Sequence, residues 1–136
     1  MSKVRLAIIG CGGNSSGHAR RMNQMDEVQI IATCDVNTDI ANSYIDQNIL
    51  DLVPRPGAFD DVNSMLAETQ PDAVLISTPH TLHFEHGMKA LEAGCHVLME
   101  KPMTIRAADA KALLQLAQNK KRILDTPCVP PFRKRG

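Results

Sequence analysis

Val4-Arg5-Leu6-Ala7-Ile8-Ile9-Gly10-Cys11-Gly12-Gly13-Asn14-Ser15 is the stretch that decides the fold class. The run from Val4 to Ile9 is apolar apart from Arg5, which predicts a strand buried on both faces. A glycine turn follows it directly. The next apolar run, Val28 to Cys34, closes on Asp35, twenty residues past Ser15. Strand, glycine turn, helix, strand and acid together form the layout of a dinucleotide-binding βαβ unit.

Each part of that layout has its own physical work. Gly10 permits the tight turn out of the strand. Gly12 lets the main chain come close to a pyrophosphate, where a Cβ would collide with it. Ser15, in a slot usually held by Gly or Ala, is small enough for helix–strand packing. Gly13 and Asn14 add freedom to the phosphate loop. Main-chain N–H groups at the start of the following helix face the phosphates, and the helix dipole favours their charge. Asp35 can accept hydrogen bonds from both hydroxyls of an adenosine ribose and would repel a 2′-phosphate. Val36 and Asn37 follow it, with no arginine to bind such a phosphate, so NAD is expected in preference to NADP.

Beyond the first unit the chain keeps alternating. Helices are expected over Ser16 to Met25, Thr38 to about Asn48 (with Thr38 as N-cap), Asp61 to Glu68, Leu82 to Ala93 and Ala107 to Asn119. Short strands are expected at Ala58-Phe59, Ala73 to Ser77, Val97 to Met99 and Ile123-Leu124. Phe84, Met88 and Leu91 form one stripe of the fourth helix, and His83, Gly87 and Ala90 form a smaller one suited to close packing on a sheet. Gly94 is placed to end that helix as its C′ residue. The order predicts an α/β fold: a Rossmann-type, doubly wound parallel sheet of about six strands with helices on both faces. Residues 1–126 form this domain. Residues 127–136 hold three prolines and Arg133-Lys134-Arg135 and are expected to be a flexible, solvated tail.

Composition narrows the function classes. The chain has 136 residues, enough for one domain with a core and short for two. With one Tyr, three Phe and no Trp, that core must be aliphatic and methionine-rich. A formal net charge of zero gives no electrostatic case for nucleic acid or an anionic membrane surface. No apolar stretch approaches spanning length and no signal peptide is evident, so a cytoplasmic location is expected. Cys11, Cys34, Cys95 and Cys128 form no C-x-x-C pair and read as reduced thiols. His80, His83 and His86 recur every third residue, but Glu85, the nearest carboxylate, would point away from them, and no metal site is expected.

Two further strand ends are polar: Ser77-Thr78-Pro79-His80-Thr81-Leu82-His83, and Glu100-Lys101-Pro102. In a parallel sheet both fall on the edge that carries the glycine turn, where ligands bind. From these residues, from Ile8-Ile9-Gly10-Cys11-Gly12-Gly13, from Cys34-Asp35, and from Ala90-Leu91-Glu92-Ala93-Gly94 followed by His96-Val97, the chain resembles the Gfo/Idh/MocA family of NAD(P)-dependent oxidoreductases over about residues 3 to 125. The resemblance implies that Thr78, Pro79 and His83, with Ser77 at the same strand end, border the nicotinamide ribose and ring. It implies that Glu100 contacts that ribose. It also implies that Lys101 faces the substrate, where a lysine stabilises the charge that builds on an oxygen as hydride leaves or arrives.

Members of that family are two to three times this length. The resemblance implies a second α/β domain after the first, supplying the far wall of the substrate pocket, an acid/base group and most of an oligomer interface. That domain is not in this chain. The expected function is therefore the NAD-binding domain of an oxidoreductase acting on a sugar, polyol or related alcohol, inactive by itself. Weak self-association through the docking face is expected. The alternative is a stand-alone, non-catalytic nucleotide-binding or regulatory module. A fragment of a longer enzyme or a truncated gene product is expected, ahead of a natural single domain.

Overall fold

Six parallel strands carry the architecture: β1 (Val4–Ile9), β2 (Val28–Cys34), β3 (Gly57–Phe59), β4 (Ala73–Ile76), β5 (His96–Met99) and β6 (Leu124–Asp125). Between them run α1 (Ser16–Asn23), α2 (Thr38–Asn48), α3 (Val62–Thr69), α4 (His80–Glu92) and α5 (Ala107–Lys120). The computed structural model describes residues 3–11, 16–49, 55–78, 80–99 and 107–125. The strand order is β3-β2-β1-β4-β5-β6. The direction of winding thus reverses between β1 and β4, and such a reversal opens a crevice at the carboxyl edge. Every element lies where the sequence pattern places it, with ends moved by one or two residues.

Alternation along β1 splits its side chains between two layers. Ala7 and Ile9 pack with Met65, Leu91, Met99 and Leu113, from α3, α4, β5 and α5. Leu6 and Ile8 pack with Ala19, Tyr44 and Ile45, from α1 and α2. From Leu6 to Ile9 β1 is buried, because β2 and β4 flank it and helices close both faces, which is why its sequence is an almost unbroken apolar run. One irregularity interrupts β1–β2: Leu6 pairs with Ile30 and Ala7 with Ala32, leaving Ile31 bulged.

Helix ends are held by specific groups. Asn37, not Thr38, caps α2: its backbone is extended, and its side chain accepts the Asp39 N–H at 2.9 Å. Thr38 has already entered the first turn. Asp61 caps α3 by accepting the Ser64 N–H at 2.8 Å. Arg5 reaches from β1 to the other end of α3 and donates to the carbonyls of Gln70 and Thr69, each at 2.7 Å. A cation there both satisfies orphan carbonyls and complements the helix dipole. Gly94, at φ +86°, ends α4 as its composition suggests: its N–H bonds to Leu91 and the Cys95 N–H to Ala90, the paired bonds of a Schellman motif. Gly87 lets α4 approach α5 and the sheet, since a Cβ there would lie 2.9 Å from both Leu113 Cδ2 and Met99 Cε. Among the described residues no helix is long and apolar enough to cross a membrane.

Candidate functional site

Main-chain hydrogen bonds continue past the last residues of three strands and bring the predicted site residues side by side. The Ser77 N–H donates to the Ile9 carbonyl at 2.7 Å, the Gly10 N–H to Cys34 at 2.8 Å, and the Asp35 N–H to Phe59 at 3.0 Å. Gly10, Asp35 and Ser77 therefore form one row along the carboxyl edge. Gly10 has φ +93°, and a Cβ on it would lie 2.7 Å from the Thr78 nitrogen and 2.8 Å from the Ser77 carbonyl carbon. The first glycine of the turn is thus demanded by the end of β4 as well as by its own backbone conformation.

Above this row lies a cleft of about 500 Å³. Its lining includes Gly10 and Cys11 after β1, Asp35 and Val36 after β2, Asp60 after β3, and Ser77 and Thr78 after β4. The Asp35 carboxylate is held in place by the chain around it. The Cys11 N–H donates to its Oδ2 and the Asn37 N–H to its Oδ1, each at 3.1 Å. A carboxylate has about four lone-pair sites, so each oxygen keeps capacity for a further donor such as a ribose hydroxyl.

The cleft thiols are chemically quiet. Burial, and next the Asp35 carboxylate, push the Cys11 thiol up to about 12. Burial, followed by Asp61, Asp35 and Asp60, pushes Cys34 up to about 11. Cys11, Cys34 and Cys95 are all free and buried.

At the β4 end, the Thr78 hydroxyl shares a hydrogen bond of 3.0 Å with Nδ1 of His86. His86 is 9% exposed and lines the cleft, and burial holds its ring below the ordinary histidine range. His83 is 2% exposed, and the α4 side chains that line the cleft are Leu82 and His86. The Ser77 hydroxyl oxygen is buried with no hydrogen-bond partner among the described residues. Glu85 pairs with Lys89 at 2.9 Å on the exposed side of α4, and no group of three or more potential metal ligands occurs among the described residues.

Two lining residues, Asp60 and His86, were not singled out for this cleft from sequence. Asp60 stands beside a capping aspartate in an exposed Asp-Asp pair, and His86 reads as one of three evenly spaced histidines. Gly12, Gly13, Asn14, Ser15, Pro79, Glu100 and Lys101, like the 127–136 tail, lie outside the described residues.

The residues present fit a dinucleotide. A glycine turn whose first position excludes a side chain, an oriented carboxylate with spare acceptor sites, and a buried hydroxyl in want of a partner all border one cleft. No Lys or Arg lines it among the described residues.

Comparison with known proteins agrees. Residues 4–126 match the Gfo/Idh/MocA family, described as an oxidoreductase family with an NAD-binding Rossmann fold. The chain is 32% identical over 124 residues to D-glucoside 3-dehydrogenase of Escherichia coli, covering 90% of this chain and 34% of that protein. Among solved structures, the WlbA dehydrogenase of Chromobacterium violaceum in complex with NADH and UDP-GlcNAcA superimposes with a TM-score of 0.82 at 28% identity, over 93% of this chain and 35% of that one. KijD10, a 3-ketoreductase of Actinomadura kijaniata in complex with NADP, shares the fold with a TM-score of 0.85 at 23% identity, over 98% of this chain and 42% of that one. The chain spans 26% to 36% of the length of the curated relatives it matches.

Proposed function

This chain belongs to the Gfo/Idh/MocA oxidoreductase family, and on that premise we propose that it binds NAD as the cofactor domain of a dehydrogenase acting on a sugar, polyol or related alcohol. The observation that carries the reading is the meeting of Gly10, Asp35 and Ser77-Thr78 around one cleft, with Asp35 already oriented by two main-chain donors. When bound, the nicotinamide supplies the hydride donor or acceptor.

The residues divide that task. Amides of Gly12, Gly13, Asn14 and Ser15 hold the pyrophosphate at the start of α1. Asp35 takes the adenosine ribose. Ser77, Thr78 and Pro79 border the nicotinamide end with Glu100, and His86 joins them through Thr78. The buried position of His83 suits support of that wall from behind. Lys101 donates to the reacting oxygen of the substrate and stabilises negative charge on it. Residues 1–126 supply one wall of the pocket. The sequence that relatives carry beyond the matched region supplies the other, so hydride transfer needs both. Preference for NAD follows from charge: Asp35 and Asp60 line the cleft, and no cation there answers them among the described residues. The buried, free thiols of Cys11, Cys34 and Cys95 support a reducing, cytoplasmic setting.

Calorimetric titration tests the reading. Removing a charged acceptor should cost about 1.5–3 kcal/mol, so Asp35→Ala should weaken NAD binding about tenfold to a hundredfold. Lys101→Ala should leave NAD affinity nearly unchanged. Equal losses in the two variants, or tighter binding of NADP than of NAD, would count against these roles.

A further inference from the structure

The strand order β3-β2-β1-β4 sets the carboxyl ends of neighbouring strands in a row, each about 4.8 Å from the next. On the dinucleotide reading, the turn after β1 takes the pyrophosphate and Asp35, after β2, takes the adenosine ribose. One more step in the same direction reaches the end of β3, where the adenine base must lie. The residue standing there is Asp60.

Asp60 is tied to that place by the main chain. The Asp35 N–H donates to the carbonyl of Phe59, the residue just before Asp60, at 3.0 Å. Asp60 lines the same cleft as Asp35, together with two apolar side chains, Val36 and Val62. Val36 is 91% exposed, an apolar surface beside the ribose-binding acid that a flat base can cover. The neighbouring carboxylates already have donors: Asp61 caps α3 and Asp35 receives two N–H groups. Asp60 is exposed and makes no hydrogen bond or ion pair among the described residues. Its charge reaches the interior of the site, adding to the upward push on the Cys34 thiol.

A carboxylate only accepts hydrogen bonds. The ribose hydroxyls are served by Asp35, and the one donor left on the adenosine half is the 6-amino group of the base. We propose that Asp60 reads that amino group, so that the cleft selects adenine over a 6-keto purine. An N–H of the amino group meets the carboxylate favourably. A keto oxygen in the same place sets lone pairs against negative charge.

The proposal rests on the dinucleotide reading, and one set of calorimetric titrations tells the two apart. The probes are NAD and nicotinamide hypoxanthine dinucleotide, in which the 6-amino group is replaced by a keto oxygen. Wild type should bind NAD about tenfold more tightly than the hypoxanthine analogue, the scale of one partly exposed charged hydrogen bond. Asp60→Ala should lose most of that preference, chiefly through weaker NAD binding. Asp60→Asn, whose amide can donate to a keto oxygen, should shift the preference toward the analogue. Both variants should keep the wild-type thermal midpoint, since Asp60 is exposed and bonded to nothing described. An unchanged NAD-to-analogue ratio in Asp60→Ala would overturn the proposal alone. So would a change confined to the NAD-to-NADP ratio, which would make Asp60 a charge acting on the ribose. Failure of wild type to bind NAD at all would overturn the dinucleotide reading, and this inference with it.

Discussion

Gly10 and Gly87 are both crowded, yet the same added methyl should have different consequences at each. At Gly10 the obstruction is backbone: the Thr78 nitrogen and the Ser77 carbonyl carbon, under 2.9 Å away, at a φ of +93°. Neither can yield without moving the end of β4. Gly10→Ala should therefore cost about 3 kcal/mol or more, combining a disfavoured backbone with overpacking. At Gly87 the obstruction is the far end of two flexible side chains, Leu113 and Met99. There the crowding is offset by the better helix propensity of alanine, so Gly87→Ala should stay within about 1 kcal/mol of wild type. Urea denaturation of the two variants checks the contrast. Gly10 was readable from sequence as a turn residue, because a glycine directly after a buried strand has few other uses. Its clash with β4 was not, because Thr78 is far away in the chain and only the sheet order brings it there.

Two helices in this protein end with the same hydrogen-bond pattern but different residues. α4 closes on Gly94, whereas α5 closes on Lys121, at φ +57°. The Lys121 N–H bonds to Gln118 and the Arg122 N–H to Ala117, the same pair of bonds that closes α4. A left-handed backbone penalises any side chain with a Cβ. Lys121→Gly should accordingly raise stability by about 0.5–1 kcal/mol, read as a higher urea midpoint with an unchanged slope. At this scale the sequence was most informative where one residue type has one use, as with Gly94. It was least informative where two adjacent residues could serve equally, as with Asn37 and Thr38. Both can cap a helix, and the choice is made by where the chain leaves β2 after Asp35 has bonded to the Asn37 N–H. The same limit explains the shift of β6 to Leu124–Asp125, since a two-residue edge strand is set by pairing with β5 and not by its own pattern.

Across the whole molecule, acid should loosen the fold in two stages. Burial disfavours the charged form of His86 and lowers its pKa from 6.5. The unfolded ring therefore binds a proton before the folded one, and stability is lost as pH falls from about 6.5 through the folded value. Asp61 and Glu85 have the same sign in a lower window. Hydrogen bonds to Ser64 and to Lys89 respectively hold their carboxyls below the ordinary values of 3.8 and 4.5, so the stability they confer is present above those values and disappears beneath them. His86→Gln should flatten the decline that begins near pH 6.5 and leave the lower stage in place, as followed by urea denaturation across the pH range. The order of strands and helices was legible in sequence almost entire, because buried parallel strands and amphipathic helices write different periods. The cleft was most legible where an unusual residue stands at a strand end, as at Gly10 and Asp35. Asp60 and His86 escaped because an exposed acid and a helical histidine are ordinary until the topology puts them on the lining of one cleft.

The hydrogen bonds that run past the strand ends at Gly10, Asp35 and Ser77 also bear on how this cleft would receive a guest. Its floor is already stitched into the sheet interior by those main-chain bonds. Backbone freedom along that floor is spent in folding, so an incoming molecule meets less ordering cost there than at a loop-built site.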